Sequence, residues 1–202
     1  MRILIILLIS FVFLNGCNFF LKKFYGIKTL SQFNLEDCNK FIKSIDFKGI
    51  SHHEIFIDTS NFKDFYELSL SENLKKYLKQ PIQILYFKND SLISFHANCL
   101  AKGTLRKLDW NINGRFDHFP PLTALTSDSI NITWTQIKNS FRIDNNLVDS
   151  QYQVIVCFFW TTMLEAISKD AISLVVENIV KFHFESKTFI LLVNNDKSFI
   201  NL

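Results

Sequence analysis

Residues 152–160 read YQVIVCFFW, and from Val154 to Trp160 no polar residue interrupts the run. A strand with one wetted face alternates apolar and polar residues. An unbroken apolar run of this length is expected of a central strand covered on both faces. The next stretch, TTMLEAISKDAISLVVENIVKFHF (161–184), opens on threonines suited to capping and carries Leu164, Ile167, Ala171, Leu174 and Ile179 at helical spacing. TFILLV (188–193) then reads as a second buried strand, and NND (194–196) as a turn. KSFI (197–200) fits a short final strand. Strand, helix, strand in this order predicts parallel strands joined by a right-handed crossover.

Working outward, an earlier segment follows the same plan. EIFIDTS (54–60) reads as a strand running into good N-cap residues, and NFKDFYELSLSENLKKYL (61–78) as a helix in one or two pieces that Pro81 ends. IQILYF (82–87), KND (88–90) and SLISFHAN (91–98) form a strong hairpin signal. LEDCNKFIKSI (35–45) has apolar residues at helical spacing. SDSINITWTQIKNSFRI (127–143) fits a helix capped by Ser127 or Asp128, and Asn113-Gly114 suggests a tight turn between short strands. The expectation is a single α/β domain over residues 36–202, with a mixed, largely parallel sheet flanked by helices and built from two β-α-β-hairpin-like segments.

The N-terminus has a different character. Arg2 precedes an apolar run from Ile3 to Leu14 broken only by Ser10. This suits the apolar region of an export signal and is short of the roughly 20 apolar residues of a bilayer span. It ends in Leu14-Asn15-Gly16-Cys17. That sequence resembles the lipobox of bacterial lipoproteins, with Asn15 where a smaller residue is usual. The resemblance covers only the leader. It implies cleavage before Cys17 and a lipid such as a palmitate-bearing diacylglyceryl group on the Cys17 thiol. Residues 17–35 then read as lipidated terminus and tether, with the stretch after Cys17 either a short tether or the first packed segment. The resemblance also implies an exported domain lipid-anchored to a membrane of the bacterial cell envelope. Each buried methylene contributes about 0.8 kcal/mol, so several acyl chains hold a protein firmly where one does not.

Composition narrows the function classes. Hydrophobic residues make up 48% and charged residues 20%, and 22 Phe against five Gly supply ample core. The formal charge of +3 is dispersed among acids, without the basic stripe that nucleic-acid binding requires. With Cys17 assigned to lipid, Cys38, Cys99 and Cys157 remain. Cys38 and Cys99 either pair or stay free, and Cys157 fits a small buried hydrophobe.

Candidate chemistry is sparse. Residues 154–196 resemble the strand–helix–strand core of thioredoxin-like proteins. The redox cysteines of that family would fall at Leu164 and Ile167, and neither is Cys, so the resemblance implies a scaffold without a thiolate nucleophile. Ser60-Asn61-Phe62-Lys63 matches the S-x-x-K of penicillin-interacting serine enzymes, with Ser127-Asp128-Ser129 where a second motif would follow, but no K-T-G is present. Ser60 as a helix cap explains the same residues. His52-His53-Glu54 offers metal-ligand types that alternate across a strand and do not converge unaided, with His96 and Cys99 as distant candidates. Asp117-His118 lacks a third member. Trp110, Phe116, Phe119 and Trp134 either line an apolar groove for a ligand or partner or pack as core. The expectation is therefore a module without catalytic residues, cofactor or metal. Its partners would be the membrane through Cys17 and an envelope protein or small ligand, with no nucleic acid.

Overall fold

The computed structural model describes residues 26–69, 71–104, 107–125, 131–144, 147 and 151–200. Five strands form one sheet in the order β1-β7-β6-β2-β3, and β4-β5 form a separate hairpin. The strands are β1 (Ser51–Phe56), β2 (Gln83–Lys88), β3 (Ser91–Ala97), β4 (Lys102–Thr104), β5 (Lys107–Asp109), β6 (Val154–Trp160) and β7 (Thr188–Asn194). The unbroken apolar run is β6, at the centre. It pairs parallel with β7 (Val156 to Ile190) and antiparallel with β2 (Cys157 to Leu85).

Both faces of β6 are buried, as its unbroken apolar run requires. Val154, Val156, Phe158 and Trp160 face one core, while Cys157 and Phe159 face the other. The first core lies under helices α1 (Leu35–Lys43) and α5 (Glu165–Lys181), the second under α2 (Thr59–Glu67), α3 (Glu72–Leu78) and α4 (Trp134–Phe141). This is an α/β domain with a mixed, partly parallel sheet, flanking helices and a small hairpin. The packed chain starts ahead of residue 36, because Ile27 and Phe33 rest on the first core and the Lys28 amide donates to the Met163 carbonyl at 2.9 Å.

The two segments of similar sequence plan close differently. β6, α5 and β7 make adjacent parallel strands. β1 and β2 do not pair, because β7 and β6 stand between them and β2 runs antiparallel to β6. The hairpin after β2 forms as read, with Asn89 and Asp90 both at positive φ (49° and 69°), as a tight primed turn needs.

Three local expectations are corrected. Residues Asp196–Phe199 form a 3-10 turn instead of a strand, because the Asp196 side chain is drawn inward. Asn113 and Gly114 are in the left-handed region, but they lie beyond β5 instead of between strands. The helix expected from Ser127 or Asp128 begins at Trp134. Its cap is Thr133, whose hydroxyl accepts from the Gln136 amide while the Gln136 side chain accepts from the Thr133 amide. Ser127 and Asp128 lie outside the described residues.

Candidate functional site

In an open sheet the carboxyl ends of parallel strands are where ligand sites usually form. Here β1, β7 and β6 end together at Phe56, Asn194 and Trp160. The residues just beyond them converge on one carboxylate, Asp196, which is 2% exposed.

Asp196 Oδ1 accepts from the Thr161 hydroxyl at 2.5 Å and the Thr162 amide at 2.8 Å. Its Oδ2 accepts from the Thr162 hydroxyl at 2.7 Å and the Cys38 thiol at 3.7 Å. The turn itself is pinned, since Asp196 N donates to Asn194 Oδ1 and Asn195 Nδ2 to the Pro81 carbonyl. On the other side Ser168 Oγ donates to the Thr161 carbonyl at 3.0 Å. Above the knot, Phe41 of α1 stacks on Trp160 with centroids 4.4 Å apart.

This arrangement joins α1, the β6–α5 turn and the end of β7. Both carboxylate oxygens are engaged, so the charge is solvated by protein donors. It is poorly placed for proton transfer, because a general acid or base must reach a substrate proton and this one is closed in. Cys38 is fully buried, and burial first, then the Asp196 charge, pushes its thiol far up, away from a nucleophilic thiolate. Nearby, burial pushes the half-buried Glu54 carboxyl up to about 7, and among the described residues its Oε1 has no hydrogen-bond partner.

The other sequence candidates disperse. Cys17 and Ser127-Asp128-Ser129 lie outside the described residues. Cys38, Cys99 and Cys157 are free thiols, and Cys157 is a buried core residue. Ser60 is the second residue of α2, whose cap is Asp58. Its hydroxyl donates to Asp58 Oδ1 at 2.7 Å, and among the described residues no hydrogen bond joins it to Lys63. His52 and His53 are exposed, and the His52 ring stacks on Phe47 at 3.8 Å and bonds the Ile50 carbonyl. Asp117 accepts from Asn111 and pairs with Lys181, while His118 contributes its carbonyl to Asn178. Leu164 and Ile167, at the positions of the thioredoxin-like cysteines, are core residues 5% and 4% exposed. Among the described residues no group of three or more His, Cys, Asp or Glu is placed to hold a metal ion. No protein family, curated protein or solved structure matches the chain.

Two features escaped the sequence reading. Ser94 and His96, two apart on β3, point to one face and share a hydrogen bond at 3.1 Å, both at most 2% exposed. Burial first, and the Arg115 charge second, lowers His96 to about 3, so it stays neutral. The alternation in S-F-H was the available signal. The segment from Trp110 to Ala124 covers this pair, held by the Asn178 amide, which donates to the Phe116 carbonyl at 2.7 Å and the His118 carbonyl at 3.0 Å. The four aromatics do not share one groove. Trp110, Phe116 and Phe119 join the first core, while Trp134 packs against Phe87 in the second.

Proposed function

We propose that this protein is a bacterial envelope lipoprotein, anchored through lipid on Cys17, whose α/β domain is a binding or scaffolding module instead of an enzyme. The anchor reading is supported by Leu14-Asn15-Gly16-Cys17 at the end of the apolar leader. Among the described residues no helix is long and apolar enough to cross a membrane. The non-catalytic reading is supported by Asp196, among the described residues the one buried carboxylate at the strand ends, whose two oxygens are taken up by Thr161, Thr162 and Cys38. A second reading, a thioredoxin-like scaffold without redox cysteines, requires β6 and β7 to be parallel neighbours, and they are.

The test is metabolic labelling with a clickable palmitate analogue. Wild type should label and Cys17→Ser should not, and equal labelling of the two would refute the anchor. For the module, affinity capture from solubilised membranes should return the same partner with wild type and with Ser60→Ala. Loss of a measurable hydrolytic activity in Ser60→Ala would instead establish an enzyme.

A further inference from the structure

The β4–β5 hairpin stands off α5 and leaves an open groove of about 740 Å³, within the roughly 300–1,000 Å³ usual for small-ligand sites. Its two walls carry opposite charge. Lys102 and Lys107 stand on the hairpin, and Asp170 and Glu177 stand on α5, seven residues apart and so on one helix face. Among the described residues no ion pair spans the groove. The remaining acid, Asp109, accepts from the Asn111 amide at 3.0 Å and so is turned to its own backbone. Between the walls lie Leu108, Trp110 and Leu174. Trp110 is 5% exposed, and its indole N–H has no acceptor among the described residues. The hairpin wall is held close by Gly103, at φ +114°, where a Cβ would sit 2.4 Å from the Lys107 carbonyl oxygen.

A ligand of single charge meets one favourable and one repelling wall, and a polyanion such as nucleic acid is repelled by α5. A molecule with separated opposite charges and an apolar body satisfies both walls and the floor. We propose that the groove binds a short peptide with free termini. Its ammonium lies at Asp170 and Glu177, its carboxylate at Lys102 and Lys107, and its side chains on Leu108, Trp110 and Leu174. A tripeptide, at most ~3.6 Å per residue, carries its two charges roughly 10 Å apart. The proposal rests on the binding-module reading and is independent of the lipid on Cys17.

The experiment is titration calorimetry of the full chain in detergent micelles with trileucine, N-acetyl-trileucine and trileucine amide. Free trileucine should bind saturably, and blocking either end should weaken binding about tenfold. In Asp170→Asn/Glu177→Gln the free peptide should fall to the affinity of the acetylated one, which the change leaves alone. In Lys102→Gln/Lys107→Gln the same should hold for the amide. All four side chains are exposed, so unchanged melting should accompany each loss. Absence of saturable heat at millimolar peptide overturns the proposal, as does equal affinity for free and blocked peptides or for wild type and both variants. Such a failure leaves Cys17 labelling and membrane capture untouched, so it is separable from failure of the lipoprotein reading.

Discussion

The two edges of the sheet solve one problem in different ways. A cross-sheet row runs from Glu54 on β1 through Leu192, Phe158 and Ile84 to His96 on β3. Both ends of the row are ionisable side chains pointing into the first core, and its middle is fully buried. At the β3 edge the backbone is also occupied. Phe95 N donates to Thr123 Oγ1, Ala124 N donates to the Phe95 carbonyl, and Ser91 bridges to Thr133. At the β1 edge no such partner exists among the described residues, and inward-facing Glu54 remains as the deterrent to a further strand. One edge is covered by chain, and the other is guarded by a carboxylate.

The strongest way to break this contrast is at the cover. Asn178→Ala removes the donor that holds two carbonyls of the covering segment, and should cost on the order of 3 kcal/mol. Urea unfolding should show the loss, and hydrogen exchange should show it concentrated at β3 with β1 amides spared. Uniform loss of protection would mean that the cover is not specific to that edge.

The row's ends should titrate with opposite sign. His96 is neutral when folded, at about 3, and near 6.5 when unfolded. The unfolded chain therefore takes up the extra proton, and stability falls as pH drops below 6.5, by up to about 1.4 kcal/mol per unit. Relative to wild type, His96→Gln should therefore gain stability as pH falls from 6.5, by about 2 kcal/mol at pH 5, on top of the Glu54 contribution that both chains share. Glu54 has the reverse sense. Its folded value of about 7 lies above the usual 4.5, so the folded chain holds the proton and stability declines as pH rises from 4.5 through 7. Glu54→Gln should therefore stabilise by about 1 kcal/mol at pH 8 and by almost nothing at pH 4.5. A gain of equal size at both pH values would refute protonation as its cause. The smallest effect expected is for Thr123→Val, about 0.5 kcal/mol, confined to exchange at Phe95.

The centre of the fold was legible because β6 and β7 are buried on both faces and their composition says so locally. The edges were not. Glu54 reads as a solvated strand end until α1 is laid over it. Asp196 reads correctly as a turn residue, but its partners Thr161, Thr162 and Cys38 lie far along the chain, where no local pattern points. The aromatics around Trp110 and Trp134 were pooled by nearness in sequence, which does not encode the face of the sheet each occupies. The Thr133-x-x-Gln136 capping box is present in the sequence, beyond the Ser127 and Asp128 expected as caps. Of the candidate residues, His96 and Phe116 meet directly, with ring centroids 4.8 Å apart, while Ser60 and Lys63 share no hydrogen bond among the described residues.

The place of β1 has a consequence for how the protein is made. Ser51 pairs with Phe189 and Phe56 with Asn194, so among the described residues the earliest strand, β1, has its only sheet neighbour in the latest, β7. Until the C-terminal strand arrives, β1 is an orphan, and the knot around Asp196 cannot be tied. Closing so long a loop carries an entropic cost that local helices do not meet. A chain truncated before Thr188 would keep the β2–β3 hairpin and leave β1 outside the sheet, a natural substrate for chaperones and proteases until β7 is in place.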